Sequence, residues 1–296
     1  MNIKEKIAVQ LYSVRKEMER DLEGTLRKMH EIGFRYVQLD GMRGNDPSEV
    51  RRLLQKYELK VIGMHIKHDR FMNDLDGIIE EAYFFDCKTV FDKYIEEEDQ
   101  TTAGYTATKA ALINAAEKLH PLGFRIGLHN PEYDFNECIH GRRVMDYITD
   151  PVDGICIYAE PDTYWIRAAG HDETEFIKRY SGRAPIVHMK DFVSGFELED
   201  MDNNLVEIGQ GEVDFRAIIE WGEANGVEYY CIEQDRSKRA MFETLEASYQ
   251  YLLQLIKRKT SDLFWSFFCA QNHCTVFNKQ VVGTIKIDVL RGNETK

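Results

Sequence analysis

The sequence predicts a parallel (β/α)8 barrel, the α/β architecture of the TIM type. Three observations predict it. Eight short apolar runs alternate with longer stretches of helical periodicity. The first run leads into Leu11-Tyr12-Ser13-Val14-Arg15, which lacks the glycine turn of an open dinucleotide-binding sheet. Polar side chains gather at the carboxyl end of each run, where a parallel barrel builds its active site.

The elements follow in order. Ile7–Leu11 reads as a first strand, and Leu22, Leu26, Met29 and Ile32 recur at helical spacing up to a stop at Gly33. Tyr36–Leu39 is a second strand, followed by a helix over Pro47–Tyr57. Val61–His65 is a third strand, and Leu75–Phe85 its helix. Thr89–Phe91 is a brief fourth strand, and Ala107–Leu122 a long helix ending at Gly123. Arg125–His129 is a fifth strand, with a short helix over Arg142–Ile148. Gly154–Tyr158 is a sixth, with Glu173–Tyr180 helical. Ala184–His188 is a seventh, with Phe215–Asn225 ending at Gly226. Tyr229–Glu233 is an eighth, and Leu245–Lys257 closes the pattern. Parallel neighbours require crossover connections, which the intervening helices supply.

The 296 residues are 43% hydrophobic and 30% charged, ordinary values for a globular chain with a real core. Residues 1–258 are read as one barrel domain and 259–296 as an extension of unknown role. The extension holds the apolar run Phe264–Cys269, and Lys259, Lys279, Lys286, Arg291 and Lys296 outnumber its acids. A net charge of −13 argues against nucleic acid as a partner. The absence of a signal core or a long apolar run points to a cytoplasmic protein without a membrane span. Six scattered cysteines with no C-x-x-C pair fit reduced core thiols rather than a disulfide framework. The apolar tail makes a homo-oligomer plausible.

The polar strand ends are Gln10 and Ser13, Gln38 and Asp40, His65, Asp92 and Lys93, His129 and Asn130, Glu160 and Asp162, His188 and Lys190, and Glu233 and Asp235. His129, Asp162, His188 and Glu233 follow the fifth to eighth strands and should converge on one side of the mouth. Two imidazoles with two carboxylates form a mixed nitrogen and oxygen ligand set, which suits Mn²⁺, with Zn²⁺, Co²⁺ or Fe²⁺ as alternatives. The competing reading is four loop-start residues with separate structural bonds. His65 and Trp165 are candidates to touch a substrate, Trp165 through its aromatic face; packing beneath a loop is the alternative for Tyr164 and Trp165. His68 and His171 are expected at the surface, and Glu96–Asp99 on a solvated loop.

These segments, in order, resemble the xylose isomerase-like superfamily of sugar phosphate isomerases and epimerases, which also includes AP-endonuclease-type barrels. The resemblance rests on Val9–Arg15, Gly127–Asn130, Glu160–Trp165 with Ala169-Gly170, Gly182–Asp191, Glu207–Gly211 and Ile232–Arg236, and covers roughly residues 6 to 257. It implies one divalent metal held by residues of the late strands. Asp162, His188 and Glu233 match three of the ligand positions directly. His129 stands where many relatives carry a ligand glutamate. The His-Asn-His and Glu-Phe pattern of the similar sub-group reads here His129-Asn130-Pro131-Glu132-Tyr133-Asp134-Phe135. His129 is therefore taken as the fourth ligand, with Glu132 as its substitute.

The resemblance further implies a metal-dependent isomerase or epimerase of a keto-sugar or inosose, working by proton transfer through an enediolate. Glu233 is the candidate base and Lys190 a candidate acid or charge partner; a salt bridge from Lys190 to Asp191 is its alternative role. Gln10 and Asn130 join His65 and Trp165 as candidate substrate contacts. A dehydratase acting on an inosose-like polyol ketone shares the first step. A sugar-binding barrel that has lost activity is the third reading, prompted by Pro131 and Asp134.

Overall fold

A computed structural model of the chain describes residues 3–130, 137–197 and 200–271. Eight strands form one parallel sheet: β1 Ile7–Gln10, β2 Tyr36–Leu39, β3 Lys60–Ile66, β4 Thr89–Asp92, β5 Arg125–His129, β6 Tyr158–Glu160, β7 Ile186–Met189 and β8 Tyr229–Ile232. The main helices are α1 Leu22–Ile32, α2 Pro47–Lys56, α3 Leu75–Phe84, α4 Thr102–Leu119, α5 Val144–Ile148, α6 Glu173–Ile177, α7 Phe215–Asn225 and α8 Met241–Gln271. Local chemistry sets their ends. Asp21, Asp46, Asp74, Thr101 and Asp214 each accept a backbone N–H in the first turn of the helix that follows.

Each strand from β1 to β5 pairs with the next, and β1 pairs with β8, which pairs with β7. The ring closes between β6 and β7 through a single bridged pair, Asp162 with His188. Two backbone bonds flank it: Ala159 N–H to Arg183 O at 2.8 Å and His188 N–H to Pro161 O at 2.9 Å. The (β/α)8 barrel expected from the sequence is therefore the observed fold.

Alternation along the strands builds the interior in layers. Ala8, Ile62, Phe91, Ile186 and Cys231 form an apolar inner cluster, with Tyr36, Tyr158 and Tyr229 packed against it. Two residues further along β1, β2, β6, β7 and β8 come Gln10, Gln38, Glu160, His188 and Glu233, all buried. Gly63 and Gly127 stand two residues before His65 and His129 for a steric reason. A Cβ on Gly63 would lie 2.8 Å from Ile186 Cδ1, and one on Gly127 would lie 2.5 Å from Phe91 Cδ1. Around the barrel, one large apolar cluster joins the outer strand faces to the helices.

Several boundaries differ from those expected. The sixth strand begins at Tyr158 rather than Gly154, because Gly154 takes a left-handed turn (φ +83) and Val152 bridges Ile155 antiparallel. Short helices at Arg15–Arg20, His68–Asn73, Thr163–Ala168 and Met201–Asn204 follow strand ends and line the mouth side. Two small hairpins pair Cys138–Ile139 with Arg142–Arg143, and Asp191–Phe192 with Leu205–Val206. Of the described cysteines, Cys87 and Cys231 are buried as expected, whereas Cys138 is exposed.

The chain divides into two compact units, Met1–Ile256 and Lys257–Lys296. The last helix continues to Gln271, past the expected end at Lys257. The rest of the expected extension, residues 272–296, lies outside the described residues, as do Pro131, Glu132 and Asp134. Among the described residues, no helix is long and apolar enough to cross a membrane.

Candidate metal centre

The upper layer of the barrel converges on His188. Its Nε2 donates to Gln38 Oε1 at 2.8 Å, and its Nδ1 lies 2.9 Å from Glu233 Oε2. Gln38 Nε2 donates to Glu160 Oε1 at 2.6 Å. An ionised carboxylate can only accept, so this bond fixes the amide orientation and hence the proton on His188 Nε2. His188 Nδ1 then faces the Asp162 and Glu233 side. Burial works against the imidazolium, but Glu160 and Glu233 outweigh it and bring His188 up to about 10, so a metal ligated at Nδ1 would displace the proton there.

His129 presents the complementary atom. Its Nδ1 donates to the Lys93 carbonyl at 3.1 Å, which leaves a lone pair on Nε2. That buried Nε2 has no hydrogen-bond partner and lies 3.6 Å from Asp162 Oδ2. With the ring proton on Nδ1, this nitrogen and the Asp162 carboxylate would both face a cation placed between them. One ligand atom each from His129, Asp162, His188 and Glu233 lie within 4.8 Å of one another, all four residues buried. A modest contraction would close that set around an ion bound at about 2.0–2.2 Å. The residues therefore fit a divalent metal, and β5 to β8 supply them in the order expected.

Lys190 sits against this set. Its ammonium is 3.0 Å from Asp162 Oδ2, 2.8 Å from Glu233 Oε2 and 3.0 Å from Asp235 Oδ2, with the side chain only 2% exposed. Burial disfavours its charge, but the three carboxylates raise its pKa well above the ordinary value. The same pairing holds Glu233 well below its usual range against the effect of burial. The alternative partner, Asp191, is not the one Lys190 uses. The Asp191 carboxylate accepts instead from the backbone N–H groups of Phe192, Gly209, Gly211 and Val213 at 2.8–3.1 Å. It pins the hairpin and the Glu207–Gly211 turn.

His65 lies beside the set, not within it. Burial lowers it to about 4, so the ring is neutral. Its Nε2 donates to Glu160 Oε2 at 2.5 Å, and its Nδ1 accepts from Gln10 Nε2 at 3.3 Å. His65, Trp165, His129, Lys190 and Glu233 line a cavity of about 540 Å³ at the mouth. Trp165 faces it, with Lys190 Nζ 5.6 Å from its ring centroid. Tyr164 is the packing residue of that pair, fully buried with its hydroxyl donating to Asn204. Gln10 and Asn130 stand behind the lining: Gln10 supports His65, and Asn130 Oδ1 accepts the Asp162 N–H at 3.1 Å.

Glu160 is the group that the sequence reading did not select. It forms a second cluster with His65, His129 and His188, which shares both histidines with the first. Burial would raise its pKa, but His188 and His65 hold it well below the ordinary range. The signal was available, since strand alternation puts Glu160 two residues before Asp162 and on the same side. His68, expected at the surface, is buried, with Nδ1 2.6 Å from Asp92 Oδ2.

Known structures share this architecture. A sugar phosphate isomerase/epimerase from Parabacteroides distasonis superposes with a TM-score of 0.70 at 19% identity, covering 83% of this chain and 97% of that one. The IolI protein, solved with a bound zinc atom, gives 0.66 at 15% identity, over 86% and 98%. A probable 3-DHS dehydratase, AsbF from Bacillus anthracis, gives 0.67 at 13% identity, over 84% and 98%. At these identities the likeness is one of fold. Comparison with curated protein sequences gives no match. The family profile described as xylose isomerase-like TIM barrel matches residues 26–259, most of the chain, and the chain belongs to that family.

Proposed function

We propose that this chain is a metal-dependent isomerase or epimerase acting on a small keto-sugar or inosose. The observation that carries the reading is the buried quartet His129, Asp162, His188 and Glu233, with its unpartnered imidazole nitrogen and the Lys190 ammonium alongside. The mixed ligand set favours Mn²⁺, with Zn²⁺, Co²⁺ or Fe²⁺ as alternatives. A bound divalent ion supplies Lewis acidity that lowers the pKa of a C–H beside a substrate carbonyl.

The chain's own residues supply the rest. Glu233 is ionised across the working pH range and is the base that takes the carbon-bound proton. Lys190 offers positive charge to the oxygen on which negative charge develops. Trp165 covers the apolar side of the sugar, and neutral His65, its ring nitrogens held by Glu160 and Gln10, shapes the edge of the cavity. Elimination of a β-hydroxyl starts from the same proton abstraction, with Lys190 as the group to protonate the leaving oxygen, so a dehydratase is the second reading.

The test combines elemental analysis with solvent exchange. Purified chain should carry about one divalent transition metal. Incubated in D₂O with a panel of ketoses and inososes, it should introduce deuterium at the carbon beside the carbonyl, and Glu233→Gln should not. Metal-loaded chain that exchanges no proton with any of them would overturn the enzymatic reading in favour of a binding barrel.

A further inference from the structure

Five polar side chains of the upper layer form one hydrogen-bond chain, and a backbone group fixes its direction. The chain starts at the Tyr12 N–H, which can only donate. It donates to Gln10 Oε1 at 3.4 Å. The Gln10 amide is thereby oriented, and its Nε2 donates to His65 Nδ1 at 3.3 Å. Asp40 Oδ1, 3.9 Å from the same nitrogen, is beyond hydrogen-bond reach. The His65 ring proton is therefore on Nε2, which donates to Glu160 Oε2 at 2.5 Å.

The second arm comes from the metal quartet. His188 Nε2–H donates to Gln38 Oε1 at 2.8 Å, and Gln38 Nε2 donates to Glu160 Oε1 at 2.6 Å. Both arms therefore end on Glu160. A protonated acid or an amide at that position would place a donor hydrogen against one of them, whereas a carboxylate accepts on both oxygens. Gln10, Gln38, Glu160 and His188 are fully buried and His65 nearly so, which leaves water no way to repair a misdirected bond. Among the described residues, the ion-pair contacts of Glu160 are with His65 and His188, and no Lys or Arg reaches it. With His65 neutral and His188 ligated at Nδ1, the positive charge that Glu160 faces through Gln38 is the ion's own.

We propose that Glu160 is a positioning residue for the metal, the common acceptor of a directional chain that holds the His188 proton on Nε2 and keeps Nδ1 open as the ligand atom. This inference rests on the metal-dependent function proposed above. It also gives the second cluster a meaning: Glu160 stands behind the histidines as their charge partner, not as a ligand. Substitution by glutamine shows what the charge does. If the introduced amide accepts from His65, its nitrogen faces Gln38. Gln38 must then turn its oxygen to that amide and its nitrogen to His188, which drives the imidazole proton to Nδ1, where the metal binds. If the introduced amide accepts from Gln38 instead, its nitrogen opposes the His65 Nε2–H. One bond fails in either arrangement. Changing Gln38 to glutamate as well removes the conflict, because the carboxylate then accepts from both the introduced amide and His188 Nε2–H.

The test is Mn²⁺ titration of the full chain without substrate, with free Mn²⁺ read by electron paramagnetic resonance. Glu160→Gln should weaken binding about 10- to 100-fold, the range for groups behind metal ligands. Gln38→Met cuts the chain but keeps the Glu160 charge, and should weaken binding about tenfold or more. The double variant Gln38→Glu/Glu160→Gln should bind at least about tenfold more tightly than Glu160→Gln alone, since the two substitutions are coupled through one bond. If Glu160→Gln does not fold, the double variant is compared with Gln38→Met and should be the tighter by the same margin. A loss that the exchange does not rescue would point to packing or to direct ligation by Glu160 and would overturn the inference. So would native affinity in Glu160→Gln or in Gln38→Met. Proton exchange in D₂O is read separately. Metal binding that depends on this chain, without substrate exchange, would overturn the isomerase reading alone; substrate exchange with native affinity in the variants, this inference alone. A native chain that takes up no Mn²⁺ would overturn both.

Discussion

Replacing Lys190 by methionine separates two roles that its position combines. The ammonium lies within 3.0 Å of carboxylate oxygens on Asp162, Glu233 and Asp235, and the side chain is 2% exposed. Methionine is similarly long and unbranched, so the change removes charge with little loss of packing. Leaving buried carboxylates without their cation costs about 3–5 kcal/mol. For a unit of this size that corresponds to a melting temperature lower by roughly 6–20 °C. Because the Lys190 pKa is raised well above its ordinary value, the deficit should be constant from neutral to mildly alkaline pH.

The variant should also bind metal more tightly. In the native chain a divalent ion shares Asp162 and Glu233 with a neighbouring positive charge. Removing that like charge should improve Mn²⁺ affinity by about tenfold or more, even at the high effective dielectric of real protein sites. Turnover should be lost while metal is gained. Circular dichroism melts and Mn²⁺ titration read both effects. An unchanged melting temperature, or weaker metal binding, would refute the picture of Lys190 as a buried cation that shares the metal's ligands.

Other perturbations probe the remaining parts. Asp162→Asn and His188→Ala should lower metal retention by about 10-fold or more, read by elemental analysis after dialysis; full retention in both would place the metal elsewhere. Facing Asp92, the His68 imidazole is raised above its ordinary pKa: burial opposes this, and the carboxylate outweighs it. A raised folded-state value means that the stabilisation is complete below about pH 6.5 and fades as pH rises through the raised value. The melting-temperature gap between native chain and His68→Gln should therefore be widest in mild acid and narrow with rising pH. Deleting the residues after Arg258 should leave metal binding intact, as titration of the truncated chain would show.

The order of strands and helices was legible because each depends on local periodicity. So was the quartet, since the ends of successive parallel strands meet in space whatever their separation in sequence. Glu160 was legible as a strand-end carboxylate but was passed over for Asp162, two residues on and facing the same side. Asp191 looked like the natural partner of Lys190 because it is adjacent. Neighbouring side chains point to opposite sides of an extended chain, so Lys190 reaches Glu233 and Asp235 just after β8, while Asp191 turns to backbone amides.

The barrel's one-pair closure gives the metal a mechanical meaning. Asp162 and His188 are both ligands of the proposed centre and the two residues that bridge β6 to β7. An ion held between them is a rivet across the weakest joint of the hoop. Parting these strands would mean letting go of the ion, so occupancy stiffens the ring against the local opening that would disperse the quartet. Slowed amide exchange at Ala159 and His188 on adding Mn²⁺ would be its signature. A single coordination event would then both arm the chemistry and lock the frame that holds it.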